Sequence, residues 1–206
     1  MTAGQQRALE QGWPAYGLES KEGGIQPEIV FGNSAPVTLE IGFGMGDSLV
    51  QQARENADRN FIGIEVHRPG VGHALMLVLE HGLNNFRVYS EDSISVLKSA
   101  IPARSLDRIQ LFFPDPWPKK RHHKRRIVNL DFVQLAASRL QAGGLLHVAT
   151  DWVPYAEEIE VLLASMDEFE ALPPPARPET KFEKRGIRHG HEIRDLAWRL
   201  RSAADH

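Results

Sequence analysis

The sequence predicts an α/β fold with a mostly parallel, twisted sheet and helices on both faces. Three observations carry this. Short β-branched and apolar runs recur along the chain, separated by intervals long enough for a helix, which is the pattern of βαβ units. One such run opens directly into a glycine-rich turn followed by a helical period, Val37-Thr38-Leu39-Glu40-Ile41 and then Gly42-Phe43-Gly44-Met45-Gly46. Acids stand at or near the ends of five runs: Glu40, Glu65, Asp92, Asp115 and Asp151. In open α/β sheets ligands bind outside the carboxyl ends of the strands, so these acids mark one edge of the molecule as chemical.

The elements follow in order. Met1 to Glu10 can begin a short helix, and Gly17 to Pro36, rich in Gly, Pro and Asn, reads as loop. Residues 1–35 are therefore expected to form a segment that is partly loop or disordered, ahead of a single domain at 36–206. After the Val37–Ile41 strand, Leu49, Val50 and Ala53 give a helix from about Asp47. Phe61 to Val66 is a second strand. His73 to Glu80 is a helix that Gly82 stops. Phe86 to Tyr89 and Leu106 to Phe113 are strands three and four, with a short helix over Ile94 to Ala100 between them. Ile127 to Leu140 is an amphipathic helix, Leu145 to Thr150 a fifth strand, and Tyr155 to Met166 a helix. Leu172 to Pro178, with four prolines in seven residues, is an extended connection, and a hairpin is expected around Gly186 and Gly190. With that hairpin antiparallel, the sheet has about seven strands.

Composition narrows the function. The chain has 206 residues, 42% of them apolar and 25% charged, and no cysteine. It is thus a globular chain without disulfides or thiolate metal sites. No apolar run is long enough to span a membrane, and the polar start has no signal-peptide core. The net charge is −3, yet Lys119 to Arg126 holds only Lys, Arg and His. That makes a local basic patch on an acidic body rather than a generally basic nucleic-acid binder.

The basic run follows Phe113-Pro114-Asp115-Pro116-Trp117-Pro118. Proline ends the strand because it cannot donate to a ladder, and Asp115 is held between two residues of fixed φ. A rigid carboxylate, a flat aromatic and a cationic run at one strand end suggest a polyanion brought to a chemical site. Trp117 either stacks on a substrate or packs the strand end. His67, His122 and His123 have no convergent partners, so they read as surface residues and no metal is expected.

The glycine turn admits two cofactor classes. A dinucleotide needs its pyrophosphate on the helix N-terminus behind G-x-G-x-x-G, but here the sixth position is Asp47, whose charge opposes a pyrophosphate. S-adenosylmethionine carries an amino acid, a sulfonium and a ribose but no phosphate, and suits a site lined with acids. Glu65 is placed for the ribose hydroxyls, Asp92 for the adenine amine and Glu40 for the methionine end.

The chain resembles the bacterial tRNA (guanine-N7-)-methyltransferase family in Gln5 to Tyr16, Leu39 to Gly46, Gly63-Ile64-Glu65-Val66-His67, Phe113 to Arg126 and Thr180-Lys181-Phe182-Glu183. Family members usually carry a basic N-terminal extension, and Met1 aligns inside the pattern that follows it. The resemblance implies a Rossmann-like class I methyltransferase fold and transfer of methyl from S-adenosyl-L-methionine to a guanine N7 in the variable loop of tRNA. It implies cofactor residues at Glu40, Gly42, Gly44, Gly46, Glu65, Asp92 and Asp115. Substrate residues fall at Lys119, Asp151, Thr180, Lys181, Phe182 and Glu183, and the charge density adds Lys120 and Arg121. Asp115 is the candidate catalytic residue, by anchoring the base or by stabilising charge. A cytoplasmic monomer or homodimer that binds tRNA and no membrane is expected. The alternatives are a methyltransferase for a nitrogen of another RNA, DNA or protein, and a non-catalytic RNA-binding subunit. The intact turn with Glu65, Asp92 and Asp115 argues against the latter.

Overall fold

The computed structural model describes residues 1–202. Among them eight strands form one sheet: β1 Gly17–Leu18, β2 Val37–Ile41, β3 Asn60–Ile64, β4 Phe86–Tyr89, β5 Leu106–Phe112, β6 Leu140–Thr150, β7 Phe169–Leu172 and β8 Arg194–Leu200. Their spatial order is β1-β4-β3-β2-β5-β6-β8-β7. The strands run parallel from β1 to β6, and β8 is antiparallel to both of its neighbours. The helices are α1 Ala3–Tyr16, α2 Pro27–Phe31, α3 Asp47–Glu55, α4 Arg68–His81, α5 Ser93–Ser99, α6 Leu130–Arg139, α7 Val153–Ala164 and α8 Lys181–Arg188. None of the described helices is long and apolar enough to cross a membrane.

β2 lies at the centre with β3 on one side and β5 on the other, pairing Ile41 with Ile64 and with Leu111. From β2 the chain winds outward through β3 to β4, then returns to start β5. A crevice opens where the winding reverses, and it places Gly42 beside the residues that follow Phe112. Every residue of β2 and of β3 is buried, as expected for strands covered on both faces. One apolar cluster includes Leu39, Ile64, Val96, Phe132 and Tyr155, the other Leu49, Phe61, Val71, Leu75 and Phe86.

Several elements extend beyond their sequence signals. α1 continues past Glu10 to Tyr16, started by a reciprocal cap between Thr2 and Gln5. It lies close on α4: a Cβ at Gly72 would come within 2.7 Å of the Gln5 carbonyl. α4 begins at Arg68, because Pro69 occupies its first turn, and it ends at Gly82 with φ 59°. α6 starts at Leu130, where the Asn129 side chain accepts from the Phe132 N–H at 3.0 Å, and not at Ile127. β6 begins early, at Leu140, and its register with β5 shifts between Leu106 and Arg108.

The C-terminal region departs most. No hairpin turns at Gly186 and Gly190. Thr180 and Glu183 form a capping box that starts α8, and Gly186 sits inside that helix. A Cβ there would be 3.0 Å from an Asp151 carboxylate oxygen. Gly190, at φ 76°, lies just beyond the helix. The antiparallel pair is β7 with β8, joined through the segment that contains α8.

Candidate active site

The turn between β2 and α3 is built on three glycines in the left-handed region, at φ 70°, 62° and 80° for Gly42, Gly44 and Gly46. A Cβ on Gly46 would lie 2.6 Å from the Ala74 Cβ, whereas one on Gly42 would meet nothing within 4 Å. Gly46 thus serves close packing on α4, and Gly42 leaves room for a ligand. Glu65, just past β3, ties the turn down. Its carboxylate accepts from the Gly44 N–H at 2.9 Å and from the His67 N–H at 2.8 Å. Gly70 faces the Gly44 carbonyl so closely that a Cβ would stand 1.9 Å from that oxygen.

Across the crevice, β5 ends in a constrained loop. Phe113 and Trp117 both have left-handed φ, 54° and 43°, a conformation rare for bulky side chains and characteristic of functional loops. They bracket Pro114-Asp115-Pro116, whose aspartate is exposed. Arg125 lies over the Trp117 indole, 4.9 Å from the ring centroid, and His122 meets it edge-on at 6.0 Å. Arg125 is exposed and Arg126 is buried. Arg126 is 4% exposed. Its Nε donates to the Pro116 carbonyl at 2.8 Å, it pairs with Glu158, and it stacks over Tyr155 at 4.7 Å. The basic run folds back as a 3-10 helix, Lys120–Arg125, and leaves Lys119, Lys120 and Arg121 exposed.

The two motifs share a cavity of about 450 Å³ lined by Gly42, Gly44, Glu65, Asp115, Trp117 and Phe182. A second space of about 370 Å³ lies on the other side of the turn. Gly42, Gly44 and Phe182 line it too, with Glu40, Ser48, Thr180 and Lys181. Glu40 is buried inside β2, and burial pushes its carboxyl up to about 8 against the opposing influence of Arg177 and a bond from Gln52. Gln52 Nε2 reaches Glu40 at 3.5 Å, and Gln52 in turn accepts from Gln110 at 2.8 Å.

Not every expected residue meets at that cavity. Asp92 caps α5, accepting from the Ser95 N–H at 2.9 Å, and lines a neighbouring space of about 430 Å³ with Lys124 and Arg125. Asp151, past β6, pairs with His191 at 2.8 Å. Asp47 pairs with Lys181 at 2.8 Å. Sequence reasoning missed Arg177, which lies 4.7 Å from the Phe112 ring centroid and pairs with Glu183 at 2.6 Å and Asp195 at 2.8 Å. A lone arginine among four prolines was the available signal.

Comparison with known proteins identifies the family. A family model described as a putative methyltransferase matches residues 34–196. The tRNA (guanine-N(7)-)-methyltransferase of Halorhodospira halophila is 49% identical over 98% of this chain and 91% of its own length. That of Alkalilimnicola ehrlichii is 52% identical over 98% and 89%, and that of Escherichia coli 50% identical over 95% and 85%. Among solved structures, the 16S rRNA methyltransferase KamB superposes with a TM-score of 0.60 at 14% identity, over 81% of this chain and 88% of that one. TrmN from Thermus thermophilus gives 0.59 at 16%, over 95% and 48%. These distant likenesses bear on the fold alone, which is that of class I methyltransferases. The near-full-length relatives settle the family: the chain is a member of the tRNA (guanine-N(7)-)-methyltransferases.

Proposed function

We propose that the protein methylates N7 of a guanine in the variable loop of tRNA, with S-adenosyl-L-methionine as donor. The observation that carries this reading is the single cavity shared by the glycine turn, Glu65, Asp115 and Trp117. Its volume lies in the range of small-molecule sites. The donor set fits a cofactor without phosphate, because Asp47 stands in the first turn of α3, where a pyrophosphate would otherwise sit. The open space over Gly42 admits a ligand against the backbone.

S-adenosylmethionine, when bound, would supply a methyl group on a sulfonium for the N7 lone pair, with the carbon–sulfur electron pair left on sulfur, one positive charge passed to the purine and no proton to remove. The residues therefore need only position and stabilise charge. Glu65 would hold the ribose hydroxyls, Glu40 the methionine ammonium and Asp92 the adenine amine. An ammonium beside Glu40 would favour the charged form of its buried carboxyl. Asp115, exposed at the cavity rim, anchors the purine or offsets its growing charge. Lys119, Lys120 and Arg121 meet backbone phosphates, and these set register rather than base identity. Asp151 and Thr180 to Glu183 complete the substrate side. A tRNA substrate implies a cytoplasmic protein.

Incubation with unmodified tRNA and labelled cofactor, followed by borohydride–aniline cleavage, tests the reading. Chain scission at one variable-loop guanine is expected. Label incorporated without such scission refutes N7 as the acceptor. Asp115→Ala should lower turnover by about two to three orders of magnitude and leave Tm within a few degrees of wild type, since its side chain is exposed.

A further inference from the structure

Trp117 departs from what a packing aromatic requires. Its backbone is held at φ 43°, and its ring is not part of either apolar cluster. It lines the same cavity as Glu65 and Asp115, and the face of the indole is covered by a cation, the Arg125 guanidinium at 4.9 Å. Arg125 lines that cavity as well. It comes from the last turn of the Lys120–Arg125 helix, a short element within the basic run. A planar cation therefore rests on an aromatic platform at the mouth of the site.

We infer that the Trp117 face is the platform for the target purine, that Arg125 holds its place in the free protein, and that the indole binds the methylated, cationic ring more tightly than the neutral one. This rests on the methyl-transfer reading above. An indole carries negative potential over its face and attracts cations there. A neutral guanine gains from stacking alone, whereas a purine alkylated at N7 carries a full positive charge. The attraction therefore grows as the methyl group moves. An interaction stronger in the transition state than in the ground state accelerates the chemical step and not merely binding. Arg125, once displaced by the base, is free to join Lys119, Lys120 and Arg121 against phosphate. Trp117 is then a catalytic residue through the charge of its π face, beside the carboxylate of Asp115.

Site-specific replacement of Trp117 by 5-fluoro-, 5,7-difluoro- and 5,6,7-trifluorotryptophan tests this. Fluorine leaves the ring's shape nearly unchanged and progressively removes the negative potential of its face. The single-turnover rate of methyl transfer to tRNA should fall stepwise with each fluorine, by about threefold to thirtyfold across the series. Cofactor affinity and Tm should stay constant, which a packing role alone would also give, so the rate series is the deciding measurement. A flat series in protein that forms 7-methylguanosine overturns the platform and leaves the proposed function standing. Wild-type protein that forms no 7-methylguanosine overturns both.

Discussion

Arg177 donates to Glu183 at 2.6 Å, and through that bond a residue buried against the end of β5 holds the first turn of α8. Glu183 also closes the capping box, accepting from the Thr180 N–H at 3.3 Å. The same guanidinium reaches Asp195 at 2.8 Å and stacks on Phe112. One side chain thus joins β5, β8 and α8, and α8 brings Phe182 to within van der Waals reach of Gly44, 3.4 Å from where a Cβ would stand.

Arg177→Met should therefore unfix α8 and destabilise the protein. The Arg177 side chain is 4% exposed and that of Glu183 13%, so removing the cation leaves Glu183 without its charged partner and Asp195 with His147 alone. Breaking a buried pair from one side costs about 3–5 kcal/mol, and the partial exposure of Asp195 places this case near the lower end. Thermal unfolding should shift down by about 6–12 °C. Arg177→Lys should recover only part, because an ammonium cannot serve two carboxylates and an aromatic face together. A melting temperature unchanged in Arg177→Met would show that the network carries no stability.

Glu65→Ala should abolish cofactor binding with little loss of stability. Two backbone N–H groups of the turn region lose their acceptor, and the glycine turn loses the clamp that fixes its shape. Titration calorimetry should detect S-adenosylmethionine or S-adenosylhomocysteine on wild type and neither on the variant. Tighter binding of NAD than of either by the wild type would remove the reading of the turn.

Glu40→Gln should make stability less dependent on pH. The folded carboxyl is raised by burial from 4.5 to about 8, so between those values the folded state holds a proton that the unfolded state has released. Stability from this group is complete below the unfolded value and is lost as pH rises towards 8, by at most about 1.4 kcal/mol per pH unit. The variant's Tm, measured against wild type, should be close to it near pH 4.5, rise above it up to pH 8 and gain no more beyond. A difference constant across that range would mean that Glu40 does not titrate there. Cofactor affinity should fall in the variant at every pH.

Replacing Lys119, Lys120 and Arg121 together by Gln should weaken tRNA binding and leave cofactor binding unchanged. Each neutralised phosphate contributes roughly 0.7–0.9 to the slope of log affinity against log salt. The slope should therefore flatten by about two to three units if each residue meets a phosphate. An unchanged slope would place the tRNA on another surface.

The sequence by itself determined the elements and the kind of chemistry, because both are written in short-range signals. Glycines at Gly42, Gly44 and Gly46 demand a turn, Pro114 ends a strand, and Asp47 argues against a pyrophosphate from its own position. Thr180 and Glu183 also have capping-box spacing, and a helix starts there although glycines follow at Gly186 and Gly190. Gly186 carries no side chain where Asp151 approaches α8, and that approach spans a sequence separation no local pattern encodes. The tertiary structure alone decided how the pieces meet. Pairing β2 with both β3 and β5 put the glycine turn and Asp115 on one cavity and left Asp92 in the next. Folding the basic run back on itself divided like residues by role: Arg126 was buried as a pin, Arg125 was laid on Trp117, and Lys119 was left in solvent. Burial raised the Glu40 carboxyl, and the chain's return through α8 and β8 gave Arg177 its carboxylates. Periodicity and turn chemistry act over a few residues, whereas charge, desolvation and stacking depend on neighbours that only the closed fold supplies.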